Sequence, residues 1–347
     1  MRVLVTGGAG YIGAVLCRQL LEAGHAPVVL DRLFWGRKPL AGLEVEIVPG
    51  DLREFDDAWL AGIDAVCHLA GLSNDPTAEY NTEANWQMNA LGTERLVAAC
   101  KAHGIARFTY ASSASLYDSE PPATQVSRSP VMCDETTVVA PRGAYSLSKK
   151  YAEDVILAAA GPHFAPVIFR QGTVYGYSPR MRFDLVVNTF IKDAIVFRRL
   201  YLHGGGWMWR PLVDVEDVAK VHVTALEAPL ERLRGQIFNV LEENYQIRQL
   251  AMLVAGSLSL LDPPIRVDLE ETPAPKLVRN YRMSNAKLSR ELGFTPSRTV
   301  LESIATMLEK LPLERVDDFG DPRYYNIRWM TLLEEFHLEQ RRFASIY

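Results

Sequence analysis

Through the first half of the chain, short runs of apolar, β-branched residues alternate with longer stretches whose apolar positions recur at helical spacing. That is the pattern of βαβ units laid onto a parallel sheet. Residues 2–5, 27–30, 45–48, 65–69, 108–111 and 167–170 predict strands. Helices are predicted over 14–23, closed by Gly24, and over 85–103, closed by Gly104, because glycine supplies the left-handed turn that ends a helix. Pro and Ser concentrate from 119 to 141, which reads as a long surface loop ahead of a helix starting near Tyr145. Beyond Arg170 the alternation decays. A helix over 214–226 and a buried strand over 236–240 follow, and the aromatic and charged tail from 317 to 347 is expected to end in a helix.

The fold class expected is α/β: a Rossmann-type doubly wound parallel sheet with a smaller, interleaved C-terminal lobe that binds substrate. The sheet domain is assigned to 1–170, with 211–240 returning to it, and the lobe to 171–210 and 241–347. At 347 residues the chain is long enough for two intimately joined domains.

A formal charge of −5 argues against a nucleic-acid surface and for a small-molecule partner. No apolar stretch approaches the roughly 18 residues needed to span a bilayer, so no membrane partner is expected. Met1 and Arg2 run straight into an apolar strand, which leaves no room for a secretory leader. Cys17, Cys67, Cys100 and Cys133 are scattered without metal or disulfide spacing, as reduced thiols in a cytoplasmic protein would be. The seven histidines show no metal spacing either, and His68, within a strand, reads as core or cofactor-lining.

The sequence Thr6-Gly7-Gly8-Ala9-Gly10-Tyr11-Ile12-Gly13 lies between the first strand and the first helix. In that position glycines permit a tight turn, close approach of a pyrophosphate and close packing of helix on strand. Gly7, Gly10, Tyr11, Ile12 and Gly13 are therefore candidate contacts to a dinucleotide. Asp31 ends the second strand, 18 residues beyond Gly13, where a carboxylate hydrogen-bonds ribose hydroxyls and repels a 2′-phosphate. NAD is the cofactor expected, although Arg32, Arg37 and Lys38 follow closely and could answer a phosphate.

Tyr145 and Lys149, four residues apart, share one face of a helix. A phenol is a poor base at neutral pH, but a neighbouring ammonium and an oxidised nicotinamide both favour its phenolate. The run from Tyr110 to Tyr117, with Ser112, Ser113 and Ser115, falls at the carboxyl end of a predicted strand, where such sheets bind ligands.

Together, the glycine loop, Asp31, Gly50-Asp51-Leu52, His68-Leu69-Ala70-Gly71, the serine run, Tyr145-Ser-Leu-Ser-Lys149, Phe169–Gly176 and Arg210–Asp217 resemble the extended short-chain dehydrogenase/reductases. Within that branch they are similar to the nucleotide-sugar epimerases and their relatives, over roughly residues 1 to 300. The resemblance implies that Asp51 and Leu52 touch adenine, that Leu69, Ala70 and Gly71 line the cofactor groove, and that Asn89 lies near the nicotinamide half. It makes Ser113 the catalytic hydroxyl, Tyr145 the acid/base, and Lys149 the group that holds the ribose and lowers the tyrosine pKa. Arg210 falls where relatives hold the substrate diphosphate; an arginine there suits bidentate phosphate binding. Ala114 and Ser115 stand where dehydratases carry an Asp-Glu pair, so an epimerase is implied rather than a 4,6-dehydratase. Thr173 replaces the usual Asn of its stretch. A late nucleotide-clamping Arg-Pro-Gly-Asp segment is also replaced, with Lys276, Arg279 or Arg282 as substitutes. Thr173 and Arg279 are accordingly candidate substrate contacts.

The expected function is NAD-dependent epimerisation of a nucleotide sugar through a transient keto sugar. A keto-sugar reductase or dehydrogenase is the alternative within enzymes, and a non-catalytic dinucleotide-binding regulator the alternative outside them. By analogy with relatives, a homodimer is expected.

Overall fold

A computed structural model describes residues 1–118, 130–274, 279–313 and 315–344. The strands β1 (Arg2–Thr6), β2 (Ala26–Asp31), β3 (Glu46–Pro49), β4 (Ala65–His68) and β5 (Arg107–Ser113) are joined in one parallel sheet by Ala165–Gln171 and Gln236–Val240. The spatial order is Gln236–Val240, Ala165–Gln171, β5, β4, β1, β2, β3. Central strands read as continuous apolar runs because helices cover both faces: Val3, Leu4 and Val5 have no exposed surface. Each such side chain contributes roughly 1.5–3 kcal/mol relative to exposure. Strand order reverses between β1 and β4, and the crevice beyond their carboxyl ends is where doubly wound sheets bind ligands.

Helix α1 (Tyr11–Glu22) packs with Val215–Glu227 on one face, while Gly92–Ala102 and Ala144–Ala159 lie on the other. The first helix begins three residues before the predicted 14, because Gly10 already acts as its N-cap. The long helix predicted over 85–103 is three pieces, Thr82–Asn85, a π-helical turn Trp86–Leu91, and Gly92–Ala102. An i,i+5 turn leaves no mark in apolar periodicity.

Beyond Gln171 the chain leaves the sheet. Thr173–Tyr175, Trp209–Asp214 and Glu243–Gln246 form a separate three-stranded sheet, and Arg199–His203 pairs with Asp268–Thr272. Trp209–Asp214 therefore lies outside the seven-stranded sheet, and only Gln236–Val240 of that region returns to it. Helices Val186–Phe197, Ile247–Ser259 and Val300–Lys310 turn Ile191, Val254 and Ile304 into a core continuous with Val15 and Leu16 of α1. The last helix, Asn326–Ala344, starts at the crevice. Among the described residues, no helix is long and apolar enough to cross a membrane.

Candidate active site

The crevice is a cleft of about 600 Å³ floored by the glycine loop, a volume typical of small-molecule sites. Gly7 has φ +73°, and a Cβ there would stand 2.9 Å from the Ala70 backbone. A Cβ on Gly13 would stand 2.2 Å from the Gly7 carbonyl oxygen. The loop is thus compressed between β4 and α1, with no room for a side chain at Gly7 or Gly13. Helix α1 has no side-chain cap, so the N–H groups of its first turn, at Tyr11, Ile12 and Gly13, are left for an anion. The Tyr11 phenol fixes that end of the helix by donating to the Gly176 carbonyl (2.6 Å).

Asp31 accepts the Ala9 N–H (3.0 Å) on one oxygen and the Leu33 N–H (2.7 Å) on the other. Burial pushes its carboxyl above the usual range while those donors oppose the shift, and each oxygen keeps a lone pair for a ribose hydroxyl. Arg32 is spent on Asp51 (3.1 Å) and on the Phe34 ring (4.1 Å), and Arg37 and Lys38 are exposed outside the cleft lining. Asp51, also paired with Arg53 (2.7 Å), sits at the rim, whereas Leu52 lines the cleft. These residues fit an adenosine ribose with a free 2′-hydroxyl.

Leu69, Ala70 and Gly71 form the wall after β4, and the Thr6 hydroxyl accepts the Leu69 and Ala70 N–H groups (both 3.2 Å). Asn89 is 1% exposed and does not line the cleft. It braces the wall from behind, accepting the Leu72 N–H (2.8 Å) and donating to the Leu72 carbonyl (2.9 Å) and to Asn85 (2.8 Å). His68 is likewise behind the wall, bonded to Thr6 (2.7 Å) and Thr93 (2.8 Å).

Tyr145, in the first turn of Ala144–Ala159, and Ser113, at the end of β5, both line the cleft. Burial outweighs the opposing pull of Ser113, Arg182 and Arg279 and leaves the phenol raised to about 12. One turn along, Lys149 donates to the Ala111 carbonyl (2.8 Å), with its ammonium 5.9 Å from the Tyr145 ring centre. Burial pushes that ammonium down to about 7, with Glu153 opposing. Glu153 itself is held by Arg170 (2.7 Å) and by the Ser112 hydroxyl (2.6 Å), a buried network that fixes the helix against β5. Ala114 and Ser115 are buried and bring no carboxylate beside Ser113.

On the far wall stand Thr173, Arg210 and Arg279. Arg279 is neutralised by Asp75 and by Asp118 (2.9 Å). Arg210 donates to the carbonyls of Trp209 (2.8 Å) and Arg279 and pairs with no carboxylate among the described residues. Arg282 donates to the Pro130 carbonyl (2.8 Å) and is not part of the lining; Lys276 lies outside the described residues. Residues the sequence reading passed over also line the cleft: Trp35, Asp75, Arg180, Arg182 and Asn326. Arg180 and Arg182 follow Gly176 just beyond a strand's carboxyl end, a position that points to ligand. Nothing local points to Asn326, which arrives from 146 residues further along the chain.

The model of the NAD-dependent epimerase/dehydratase family matches residues 3–240. A UDP-glucose 4-epimerase of Corynebacterium glutamicum is 26% identical over 323 residues, 88% of this chain and 93% of that protein. A 2-alkyl-3-oxoalkanoate reductase of Stenotrophomonas maltophilia is 32% identical, covering 66% of each chain. The structure of MoeE5 in complex with UDP-glucuronic acid and NAD superposes with a TM-score of 0.75 at 25% identity, covering 89% of this chain and 98% of that one. The match over most of the chain, with a cleft that fits NAD, makes this protein an enzyme of the NAD-dependent epimerase/dehydratase family.

Proposed function

We propose that this enzyme epimerises a nucleotide sugar through a transient keto sugar. The observation that carries the reading is Tyr145 and Ser113 together on the wall of the dinucleotide cleft at the carboxyl end of β5, with Lys149 one turn from the tyrosine. NAD, held in this cleft, would supply the hydride-transfer chemistry that a keto-sugar intermediate requires. Tyr145 takes the sugar hydroxyl proton and later gives it back, and Ser113 orients the same oxygen. Lys149 holds the cofactor ribose and adds positive charge near the phenol, which lowers its pKa. Gly7, Gly10, Tyr11, Ile12 and Gly13 take the cofactor diphosphate, Asp31 the adenosine ribose, and Leu52, Leu69, Ala70 and Gly71 the groove. The absence of a carboxylate at Ala114 and Ser115 supports epimerisation over loss of water. Arg210, without a carboxylate partner among the described residues, takes the substrate diphosphate beside Thr173, while Arg279 positions it through its carbonyl.

The likeness to a reductase keeps a second reading in view, in which the cofactor is exchanged at each turnover. Incubating the enzyme with UDP-, GDP-, CDP- and dTDP-sugars separates the two. A product of unchanged mass with no net NADH is expected; stoichiometric consumption of reduced cofactor would establish the reductase instead.

A further inference from the structure

Five arginines line the cleft, Arg32, Arg180, Arg182, Arg210 and Arg279. Three carry their own carboxylates: Arg32 has Asp51, Arg182 has Asp184 (2.8 Å), and Arg279 has Asp75 and Asp118. Arg210 stands with Thr173 and Arg279 and is accounted for by the substrate. Arg180 is left over.

Arg180 is 5% exposed. Its guanidinium lies 3.6 Å over the Trp35 ring, one Nη donates to the Asn326 amide oxygen (2.5 Å), and its Nε is buried without a hydrogen-bond partner. Asp184, the carboxylate whose field reaches it, is occupied by two bonds from Arg182. Burial pushes the guanidinium down to about 9, and the neighbouring Arg182 adds to the shift. A buried cation without a counter-charge is costly unless something brings the charge.

Its place in the fold says what that is. The Ser178 hydroxyl donates to the Tyr11 carbonyl (2.7 Å), and the Arg180 N–H donates to Ser178 (3.3 Å). The segment bearing Arg180 is therefore fastened to the first residue of α1. Trp35, on which the guanidinium rests, comes four residues after Asp31. Arg180 thus lines the same cleft as the open N–H groups of α1 and the ribose carboxylate.

We propose that Arg180 is the counter-charge for the diphosphate of the dinucleotide, and that Asn326, opening the C-terminal helix, holds it there. Asn326 also donates to Ser73 (3.1 Å), and Trp329 donates to the Phe34 carbonyl (2.5 Å). The last helix is thus stitched to the loop after β2, the loop after β4 and the arginine, and forms part of the cofactor site. The inference rests on NAD as cofactor and is independent of which sugar reaction follows.

The test is calorimetric titration of full-length wild type, Arg180→Gln and Arg180→Lys, freed of bound nucleotide, with NAD, ADP, adenosine and UDP. Loss of a charge-assisted contact is expected to weaken NAD and ADP on the order of tenfold to a hundredfold in Arg180→Gln. Adenosine and UDP should bind as before, and Arg180→Lys should recover part of the loss. The nucleotide-free Arg180→Gln protein should melt at or above the wild-type temperature, because the uncompensated cation is gone. Unchanged ADP affinity would overturn the assignment, and so would an equal loss for adenosine and ADP. A loss confined to UDP would give the arginine to the substrate's diphosphate instead.

Discussion

Burial outweighs the groups around Tyr145 and leaves its phenol raised, at about 12. Ser113, Arg182 and Arg279 pull against burial, and the Lys149 ammonium is one turn away. Replacing Tyr145 by Phe keeps the ring and removes the proton carrier. Turnover is expected to fall on the order of a hundredfold or more, with NAD binding and melting temperature nearly unchanged; near-normal turnover would remove Tyr145 from the chemistry. At this scale the sequence was readable where one spacing has one consequence. Tyr145 and Lys149 share a face because i and i+4 always do on a helix. Asn89 was different: it was expected beside the nicotinamide, and it braces Leu72 from behind the wall. A buried amide and a ligand amide look alike until the loop they face is known.

The glycine loop and α1 act as one element. Gly13 stands in a helix with ordinary dihedrals, so the constraint on it is space rather than φ: its missing Cβ is the room taken by the Gly7 carbonyl. Gly13→Ala is therefore expected to displace the loop from the helix terminus and abolish NAD retention on gel filtration. Far-UV circular dichroism should be preserved, because Val15, Leu16 and Leu20 still anchor α1 in the core. Retained NAD would show that the loop can relax without losing its phosphate site. Strands were visible in the sequence as continuous apolar runs because both sheet faces are covered. The π-helical turn Trp86–Leu91 was invisible, since it is imposed where Asn85 and Asn89 must both reach Ser148 and the wall.

The whole molecule carries two histidines that stay neutral inside it. His68 and His222 are fully buried and are pushed down to about 3, from an ordinary value of 6.5, by loss of solvent. Between those values the unfolded chain binds the extra protons, so stability is full above pH 6.5 and declines as pH falls towards 3. Each group contributes up to about 1.4 kcal/mol per pH unit in that window. The melting temperature is expected to drop between pH 7 and pH 5 and to drop less in His222→Asn, which keeps a polar partner for Thr109. Identical slopes would mean that this imidazole does not govern the acid response. The same scale explains the second lobe. Its helices add Ile191, Val254 and Ile304 to the core that α1 began, so the lobe and the sheet domain share one hydrophobic core.

What the sequence determined by itself is whatever depends on neighbours a few residues apart: the strand runs, the helix after a glycine turn, Asp31 at a strand end, and the tyrosine and lysine on one face. Only the tertiary structure decided how charge is shared. Arg32, Arg182 and Arg279 are silenced by carboxylates, while Arg180 and Arg210 have none as an ion-pair partner among the described residues, and Asn326 comes from 146 residues beyond Arg180 to reach the cleft. Coulombic pairing and desolvation depend on distances through space, and distance along the chain does not fix those.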